Sequence, residues 1–351
     1  MTVAGERNPV RAEPVEALEP GSAAGPSTSS GRTGISDGLR IAPTGLRVAL
    51  MSDESGWHVR RLRRALMARG AALVRCLDLA QCGVATGASR HGLVLPGFGR
   101  ELPDAVIVRG VAAGSFEQVT KRLTVLHALT ALGVPVYNEA RAIERSVDKA
   151  MTSLLLRSAG IASPPAWTTE CPAQAQRLVM REAAAGRALV LKPLFGSQGK
   201  GLQLVGRVDG AFVPLPPLEP YGGLAYLQRY VPPLSTPGFD WRVLVVGGRA
   251  VAAMRRVSAH WVHNVAQGAR CEAAEVTPDL AQPALRAAQA LGLDYAGVDL
   301  IPTPEGPQVL EVNGVAAWQG LQRVTGFDIA QAIVDDLLDR KVAAALGRRS
   351  A

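Results

Sequence analysis

The sequence predicts an α/β domain followed by two α+β lobes. Between Arg47 and Asn138, short apolar strands alternate with amphipathic helices, an alternation typical of a parallel sheet. Further along the chain, Gly247 and Gly248 join two apolar runs, which indicates a β-hairpin. The segments YAGVDLI and PQVLEVN flank the turn sequence PTPEG and indicate a second hairpin. Antiparallel hairpins behind a parallel unit predict α+β lobes.

The first predicted domain covers residues 41–137. A helix is predicted from Trp57 to Arg69, because its apolar side chains recur at helical spacing and Gly70 follows as a stop. Ser115 and Gln118 have the spacing of a capping box and predict the start of a second helix. The predicted strands are RVALM, AALVRCL, DAVIVRG and VPVYN.

The two predicted lobes cover residues 138–230 and 231–346. One helix is predicted from Val147 to Ser158, with Val147, Met151, Leu154 and Leu155 on its buried face. The other predicted elements are a helix over 285–291, whose start Pro283 blurs, a closing helix capped by Asp328, and the strands PAWTT, RALVLKP, GLQLVG, AYLQRYV, WRVLVV and RAVAAMRRV.

Composition excludes several classes of protein. The chain has 351 residues, 48% of them hydrophobic and 19% charged, which is a globular composition. No apolar run reaches the roughly 18 residues of a membrane helix, and the start MTVAGERNPV lacks a secretory signal's apolar region. Residues 1–40 include EPGSAAGPSTSSGRTG and are predicted to be a disordered, low-complexity tail.

Charge and reactive residues narrow the function further. The net charge of +8 favours an anionic ligand, whereas 5% aromatic residues and no Lys/Arg-rich run disfavour nucleic acid. The four cysteines are too widely spaced for a zinc knuckle or a disulfide scaffold, which predicts a cytoplasmic location. No GxSxG elbow is present, so serine hydrolase chemistry is disfavoured. We interpret His58 as surface, find no third metal ligand beside His260 and His263, and interpret the tryptophans as packing.

A glycine-rich loop follows a predicted strand between Val190 and Gly201, in the sequence VLKPLFGSQGKG. The strand delivers Lys192, and the glycines leave backbone N–H groups free to approach phosphate oxygens. The loop is neither a Walker A nor a dinucleotide motif. An ordinary glycine hairpin explains the loop taken alone equally well.

A carboxylate set lies on the second predicted hairpin. Glu311 and Asn313 are two apart on one strand and share a face, and Asp299 lies on the preceding strand. Three oxygen donors on one face suit Mg²⁺, and acids within apolar strands are costly unless a cation neutralises them. The alternative is that these side chains face water.

Four arginines are candidates for binding carboxylate or phosphate, since a guanidinium can bind such groups through two hydrogen bonds. Arg109 ends an apolar strand, at the edge where α/β sheets bind ligands, and is the candidate substrate residue. Arg242, Arg255 and Arg256 lie on the first hairpin. The alternative is that they only reflect an arginine-rich composition.

In this order along the chain, these motifs resemble the ATP-grasp superfamily, and specifically the RimK-like alpha-L-glutamate ligases. The resemblance covers the chain from about Arg47 to the last helix and includes RSVDKAMTSLLLRSAGI, QRYV, GVDL and EVN. It implies an ATP-grasp fold, in which a pre-ATP-grasp domain precedes two lobes that enclose ATP. The strings IVRGVAAGSFEQ and EVNGVAAWQGLQRVTGFDIA are most similar to the branch that glutamylates tetrahydromethanopterin-type pterins.

The resemblance also implies residue roles. Lys149 and Lys192 would contact phosphates under the loop of Gly196, Ser197, Gly199 and Gly201. Gln228, Arg229, Tyr230 and Val231 would bind adenine, with Asp240 at the ribose and Asn264 also at the nucleotide. Asp299, Glu311 and Asn313 would hold two Mg²⁺ or Mn²⁺ ions, and Arg242, Arg255 and Arg256 would be catalytic, with Arg255 or Arg256 at the transferred phosphoryl group.

The implied reaction is an ATP-dependent ligation of a carboxylate and an amine through an acyl phosphate, which needs no protein nucleophile. The expected amine is L-glutamate and the expected acceptor is acidic, such as a pterin of this type or a peptide C-terminus. A non-catalytic ATP-binding module and a ligase for a different amine remain alternative functions. Whether the chain forms a homo-oligomer stays open.

The chain departs from the family pattern at three places. Arg229 stands where an acid is common, Val262 and His263 replace an Arg-Ser pair, and Gly314-Val315-Ala316-Ala317 replaces a small-residue-and-proline turn.

Overall fold

The computed structural model describes residues 45–87, 89–196 and 198–350. The predicted tail over residues 1–40 and the loop residue Ser197 lie outside the described residues. Across the described ranges, the chain forms one parallel sheet, two five-stranded antiparallel sheets and a two-stranded ribbon. No helix within these ranges has the length and apolar character needed to cross a membrane.

The N-terminal region contains a parallel sheet and two helices. Its strands pair in the order β2-β1-β5-β6. The predicted capping box is confirmed, because Ser115 Oγ accepts a hydrogen bond from the Gln118 N–H and the Gln118 side chain accepts one from the Ser115 N–H. The elements are β1 (Arg47–Met51), α1 (Trp57–Ala68), β2 (Leu73–Leu77), β3 (Gly83–Val84), β4 (Leu93–Val94), β5 (Ala105–Val108), α2 (Phe116–Ala131) and β6 (Val136–Tyr137).

The central region contains the first antiparallel sheet, in the order β10-β9-β8-β11-β7. Apolar side chains of α5 pack on β8 and β11 and form a separate hydrophobic core. The elements are α3 (Ala140–Val147), α4 (Lys149–Ser158), β7 (Ala166–Thr169), α5 (Pro172–Ala184), β8 (Ala188–Lys192), β9 (Gln203–Val208), β10 (Ala211–Val213), a 3₁₀ turn (Glu219–Tyr221) and β11 (Ala225–Arg229).

The helix predicted from Val147 to Ser158 begins instead at Lys149, and the predicted buried face is wrong at three of its four residues, since only Leu155 packs against a core. Asp148 caps it, since its Oδ1 accepts hydrogen bonds from the backbone N–H groups of Ala150 and Met151 at 2.8 and 3.0 Å. Val147, Met151 and Leu154 are 47%, 40% and 60% exposed. The buried face carries Thr152 and Leu156, and the same rotation turns Lys149 and Ser153 into a polar cavity.

The C-terminal region contains the second antiparallel sheet, in the order β14-β13-β12-β15-β16. The predicted Gly247–Gly248 hairpin and the Asp328 cap are both confirmed. The helix predicted over 285–291 begins earlier, and Pro283 lies inside it. The elements are β12 (Gly238–Val246), β13 (Arg249–Ser258), a 3₁₀ turn (Val265–Gln267), β14 (Arg270–Ala274), α6 (Pro278–Leu291), β15 (Tyr295–Ile301), β16 (Gln308–Asn313), α7 (Gln319–Val324), α8 (Ile329–Asp336), a π-helical stretch (Leu337–Val342) and α9 (Ala343–Ser350).

A single hydrophobic core joins the N-terminal and C-terminal regions. Side chains of β1, α1 and β5 pack with side chains of β12, β13, α7, α8 and the π-helical stretch. The largest of these, Trp318, is completely buried. Because this core crosses the domain boundary, the N-terminal region is packed rigidly on the C-terminal sheet. The other face of that sheet is covered by α6.

The hairpin glycines give a test of this packing. Both have left-handed φ values, +56° at Gly247 and +74° at Gly248, so Gly248→Ala should lower the free energy of unfolding by about 1–2 kcal/mol. A Cβ at Gly247 would also collide with the Asp336 carboxylate, which accepts hydrogen bonds from Tyr137 and Arg340. We expect Gly247→Ala to be about 2 kcal/mol worse than Gly248→Ala in urea unfolding. Equal losses would contradict this account.

Candidate active site

An open cleft lies between the two antiparallel sheets. The central sheet contributes β8, β11 and the glycine loop, and the C-terminal sheet contributes β12, β13, β15 and β16. Thirteen of the residues that the sequence analysis proposed line it: Lys149, Lys192, Gly196, Gly199, Gln228, Arg229, Tyr230, Val231, Asp240, Arg256, Asn264, Asp299 and Glu311.

A β-bulge decides which arginine of β13 faces this cleft. The register of β12 and β13 shifts by one residue at Leu244, and Val251 is left without a pairing partner. A one-residue shift moves every later side chain to the opposite face of the sheet. Arg256 therefore pairs with Asp240 and enters the cleft, whereas Arg255 lies on the other face.

A second bulge places the acids of the other hairpin. The register of β15 and β16 shifts between Asp299 and Leu300, and Leu310 is left without a pairing partner. Glu311 consequently pairs with Asp299 on the cleft face. Asn313 ends the strand outside the cleft lining, and its Nδ2 donates to a backbone carbonyl of β15 at 3.4 Å.

A row of paired charges crosses the cleft face of the C-terminal sheet. Arg256 donates to both oxygens of Asp240 at 2.7 and 2.6 Å, and its Nη2 is also 2.9 Å from Asp299 Oδ2. Arg242 donates to both oxygens of Asp299 at 2.7 and 2.8 Å. Asp240, Arg256 and Asp299 are at most 3% exposed. The row is therefore a buried network in which each acid has an arginine partner.

Burial and pairing act in opposite directions on the two acids of this row. Burial alone would raise the pKa of Asp299, but Arg242 and Arg256 outweigh it and hold the pKa below its ordinary value. At Asp240, burial outweighs Arg256 and raises the pKa to about 6. Asp299 thus stays ionised at neutral pH.

Two lysines of the central region face Glu311, which together with Asp299 and Asn313 is called the acidic row. Lys192 Nζ donates to Gln228 Oε1 at 2.6 Å, and Lys149 Nζ donates to the Gly196 carbonyl oxygen at 2.8 Å. Burial lowers the pKa of Lys192 to about 8 and also lowers the pKa of Lys149, while Glu311 opposes both shifts. The cleft thus holds two desolvated cations beside one carboxylate.

The glycine loop lies against a loop of the C-terminal region. Gly199 has a φ of +71°, and a Cβ there would come within 2.7 Å of both Val262 and Asn264. A side chain at this position would therefore separate the two loops. Gly201, with a φ of +69°, follows outside the cleft lining.

The other end of the cleft is aromatic and apolar. The rings of Tyr230 and Trp261 meet edge to face at 6.0 Å. Arg229, which also lines the cleft, is anchored by a 3.0 Å ion pair with the buried carboxylate of Glu182. The remaining apolar lining residues are Val190, Leu202, Val231, Val262, Ile301 and Leu310.

Three candidate arginines lie outside the cleft lining, and of these Arg242 bonds a lining residue, Asp299. The Arg255 guanidinium stacks 4.3 Å from the centre of the Phe239 ring on the opposite face of the sheet, so it drops out of the proposed catalytic set. Arg109 Nη1 donates to Tyr295 Oη at 2.8 Å and to the Ala316 carbonyl oxygen at 2.9 Å. In the structure, Arg109 joins the N-terminal and C-terminal regions.

The sequence motifs did not indicate that His263 is part of the cleft. This residue lines the cleft and is 6% exposed, and its Nε2 is buried without a hydrogen-bond partner among the described residues. Burial and the Arg256 charge lower the pKa of His263 to about 4, so it is neutral although Asp240 lies 3.9 Å away. Its position beside Asn264 was the signal that pointed to the cleft.

The comparisons with known proteins agree with this architecture. The RimK-like ATP-grasp domain matches residues 146–337, and the RimK PreATP-grasp domain matches residues 46–143. The chain belongs to the RimK family of ATP-grasp ligases. As a member of this family, the protein is an ATP-dependent ligase that forms carbon–nitrogen bonds between an acid and an amino acid.

Curated relatives of this RimK-family ligase act on different acceptors. A tetrahydromethanopterin:alpha-L-glutamate ligase of Methanococcus maripaludis is 36% identical over 208 residues, which cover 59% of this chain and 70% of the relative. A ribosomal protein bS6–L-glutamate ligase of Salmonella newport is 33% identical over 290 residues, which cover 81% and 93%.

Solved structures confirm the ATP-grasp fold. The ATP-grasp ligase PsnB, complexed with the precursor peptide PsnA2 and AMPPNP, aligns with a TM-score of 0.63 at 22% identity and covers 85% of this chain and 98% of its own. The RimK domain protein from Sphaerobacter thermophilus aligns with a TM-score of 0.58 at 22% identity, covering 82% and 98%.

The two neighbouring arginines of β13 make a matched pair for testing the charged row. Arg256→Met leaves Asp240 buried without its guanidinium, and we expect a loss of about 3–5 kcal/mol in the free energy of unfolding. Arg255→Met should cost less than about 1 kcal/mol, because that side chain is 42% exposed and loses only its contact with the Phe239 ring and a 3.9 Å ion pair with Glu272. The Arg256→Met loss should be smaller at pH 5 than at pH 8, since an unpaired Asp240 takes up a proton. Urea titrations of both variants at the two pH values measure these losses. Equal losses in the two variants, or an Arg256→Met loss that does not depend on pH, would contradict the prediction.

Proposed function

We propose that this RimK-family ligase joins L-glutamate to an anionic acceptor. The observation that carries the proposal is the meeting, in one cleft, of two desolvated lysines with a buried Arg256 and the carboxylate of Glu311. Cations and a carboxylate at one site suit the transfer of a phosphoryl group, which depends on positioning and charge neutralisation. The two glutamate ligases among the relatives support the choice of amine.

We assign the ends of the cleft to different parts of ATP. Lys149, Lys192 and the glycine loop would contact the phosphates, and Asp240 would contact the ribose. The apolar end at Tyr230 and Val231 suits adenine, which stacks on and packs against such side chains. We assign Arg256 to the transferred phosphoryl group, because it lines the cleft and Arg242 holds Asp299 beside it.

We assign Mg²⁺ or Mn²⁺ to the donors of the acidic row, with Glu311 as the carboxylate that faces the cleft and Asp299 paired with Arg242 and Arg256. Within the described residues, no group of three His, Cys, Asp or Glu side chains could hold a metal. However, Mg²⁺ is commonly held by one or two carboxylates together with substrate phosphates. Asp299, Glu311 and Asn313 supply two carboxylates and an amide oxygen, and would hold up to two ions. When bound, the ions would neutralise phosphate charge.

The reaction then needs no protein nucleophile. A carboxylate oxygen of the acceptor attacks the γ-phosphorus of ATP, the bond to the ADP oxygen breaks, and an acyl phosphate forms. The amine nitrogen of L-glutamate attacks the acyl carbon, loses a proton and displaces inorganic phosphate, which leaves an amide. Lys192 and Arg256 stabilise the negative charge that moves onto the phosphate oxygens.

The basic surface supports an acceptor that carries several acids. The net charge of +8 would attract such a molecule. A tetrahydromethanopterin-type pterin and an acidic peptide C-terminus both meet this description, and the relatives include ligases named for a pterin and for a ribosomal protein. The substrate contact of Arg109, the cytoplasmic location and a homo-oligomeric state stay predictions.

An acceptor panel tests the proposed reaction. We expect ADP release that requires Mg²⁺, ATP, L-glutamate and either a reduced pterin or an acidic peptide, with a product heavier by one glutamyl residue. A product containing another amine would favour a ligase of different specificity. ATP binding without ADP release for any acceptor would favour a binding module and refute the proposal.

Glu311→Ala tests the assignment of the acidic row. This variant removes the carboxylate that faces both lysines, and we expect acceptor-dependent ADP release to fall at least about 1,000-fold, as for the loss of a central electrostatic group. The melting temperature should stay within a few degrees, because Glu311 is only partly buried. Activity near that of the unaltered chain would refute the metal assignment.

The pKa of Lys192 predicts how ATP binding depends on pH. Without bound ATP, the Lys192 side chain is mostly protonated below pH 8 and mostly neutral above it. Its charged neighbours are Glu311, Lys149 and Asp299. If ATP binds the charged form, the Kd should rise about tenfold between pH 7 and pH 9. Lys192→Arg should make the affinity nearly constant over this range, since arginine stays protonated. The Kd is measured by fluorescence titration with a labelled ATP. A Kd of the unaltered chain that stays constant between pH 7 and pH 9 would exclude Lys192 from the phosphate site.

A further inference from the structure

The segment that follows β16 is held at four points by side chains from other parts of the chain. The Gly314 carbonyl oxygen accepts a hydrogen bond from Asn138 Nδ2 at 2.6 Å, and the Ala316 carbonyl oxygen accepts one from Arg109 Nη1 at 2.9 Å. The Trp318 N–H donates to His58 Nε2 at 3.1 Å. The Ala317 carbonyl oxygen is 3.4 Å from Arg242 Nη1.

Three of these four partners belong to the pre-ATP-grasp region, residues 46–143. The Asn138 contact is buried and the other two are partly buried, and Asn138 and Trp318 are both 0% exposed. The Trp318 ring also meets the rings of Trp57 and His58 edge to face at 4.9 and 4.8 Å. The backbone at Gly314 is closely covered, because a Cβ there would lie 2.6 Å from Ser146 Oγ.

His58 is chemically suited to this contact. Burial and the Arg109 charge lower its pKa to about 3, so the imidazole is neutral at physiological pH. Because Nε2 accepts the Trp318 N–H, the ring proton resides on Nδ1. A neutral, buried acceptor fixes the backbone at Trp318 without placing a further charge in the core.

The held segment connects directly to the proposed site. Gly314 follows Asn313 in the chain, and Glu311 lies two residues before that. The Arg242 that contacts Ala317 also pairs with Asp299. The segment therefore adjoins both strands of the acidic row, and a displacement of it moves the end of β16.

The composition of the segment explains why outside contacts are needed. The segment Gly314-Val315-Ala316-Ala317 begins with glycine and contains no proline. Proline restricts the backbone, and glycine and alanine leave it freer, so the same fixed position has a larger conformational cost. Hydrogen bonds from the N-terminal region can offset this cost.

We propose that His58, Arg109 and Asn138 are positioning residues, through which the N-terminal region fixes the acidic row for metal and phosphate binding. The inference rests on the proposed roles of Glu311 and Asn313. It gives Arg109 a role through the backbone of Ala316 rather than direct contact with substrate.

The test compares His58→Phe with His58→Gln in the full chain. Phenylalanine keeps the ring contacts and removes the acceptor, whereas the glutamine amide oxygen can replace Nε2. Binding of Mn²⁺ in the presence of AMPPNP is measured from the electron paramagnetic resonance signal of free Mn²⁺. We expect His58→Phe to weaken Mn²⁺ binding about tenfold, as for the loss of a supporting contact behind a metal ligand. His58→Gln should bind within about threefold of the unaltered chain, and kcat for ADP release should follow the same order.

Arg69→Gln is the matched control. Arg69 also joins α1 to the C-terminal helical stretch, through a 2.6 Å ion pair with Asp339, but it does not touch the held segment. It should lower the melting temperature and leave Mn²⁺ binding unchanged. Equal weakening in Arg69→Gln, or unchanged binding in a folded His58→Phe, would overturn the proposal.

Two further variants keep the outcome interpretable. If His58→Phe does not fold, Arg109→Gln removes the bond to Ala316 and is judged by the same Mn²⁺ measurement. A rise in KM for the acceptor alone, with normal Mn²⁺ binding, would assign Arg109 to the substrate and overturn its positioning role. Normal Mn²⁺ binding in Glu311→Ala would instead refute the metal assignment itself.

Discussion

The register of the C-terminal sheet determines every charged contact on its side of the cleft. Side chains alternate between the faces of a strand, so one inserted residue reverses the face of all that follow. Val251 and Leu310 are such insertions. Regular pairing from the two turns would set Arg255 opposite Asp240 and Leu310 opposite Asp299. The Leu310 bulge lines the cleft, where bulges commonly redirect a side chain, whereas the Val251 bulge acts from near the hairpin turn.

The register buries these charged side chains together, so each acid needs a cationic partner. An isolated buried carboxylate costs several kcal/mol, which pairing offsets only if the hydrogen bonds are complete. Here Arg256 is shared by two acids and Arg242 completes the second. The two acids and two arginines of the C-terminal sheet therefore nearly cancel in charge. The remaining charge of the cleft comes from the two lysines of the central region, which Glu311 partly offsets. An anionic ligand between the sheets meets positive charge from one side and a balanced surface from the other.

The sequence predicts the local chemistry well and the relations between strands poorly. The capping box at Ser115, the hairpin at Gly247 and the loop after Lys192 depend on neighbouring residues, and short-range patterns report them. Arg255 and Arg256 could not be distinguished, because their faces depend on an unpaired residue in the middle of a strand. The phase of α4 was misjudged for a related reason: its apolar residues suggested one face, whereas Asp148 and the cavity beside Lys149 set another. The neutrality of His58 and His263 follows from burial, which no spacing within the chain reports.

The distribution of cores indicates which parts of the site act together. The N-terminal and C-terminal regions share one hydrophobic core, whereas the central sheet has its own. Close-packed apolar cores resist deformation, so side chains anchored in one core keep their relative positions. The acidic row and the segment after β16 therefore belong to the same packed body as His58 and Arg109. Lys192 enters the cleft from the separate core of the central sheet. The site is thus assembled from two rigid bodies, and the N-terminal region determines the geometry of one of them.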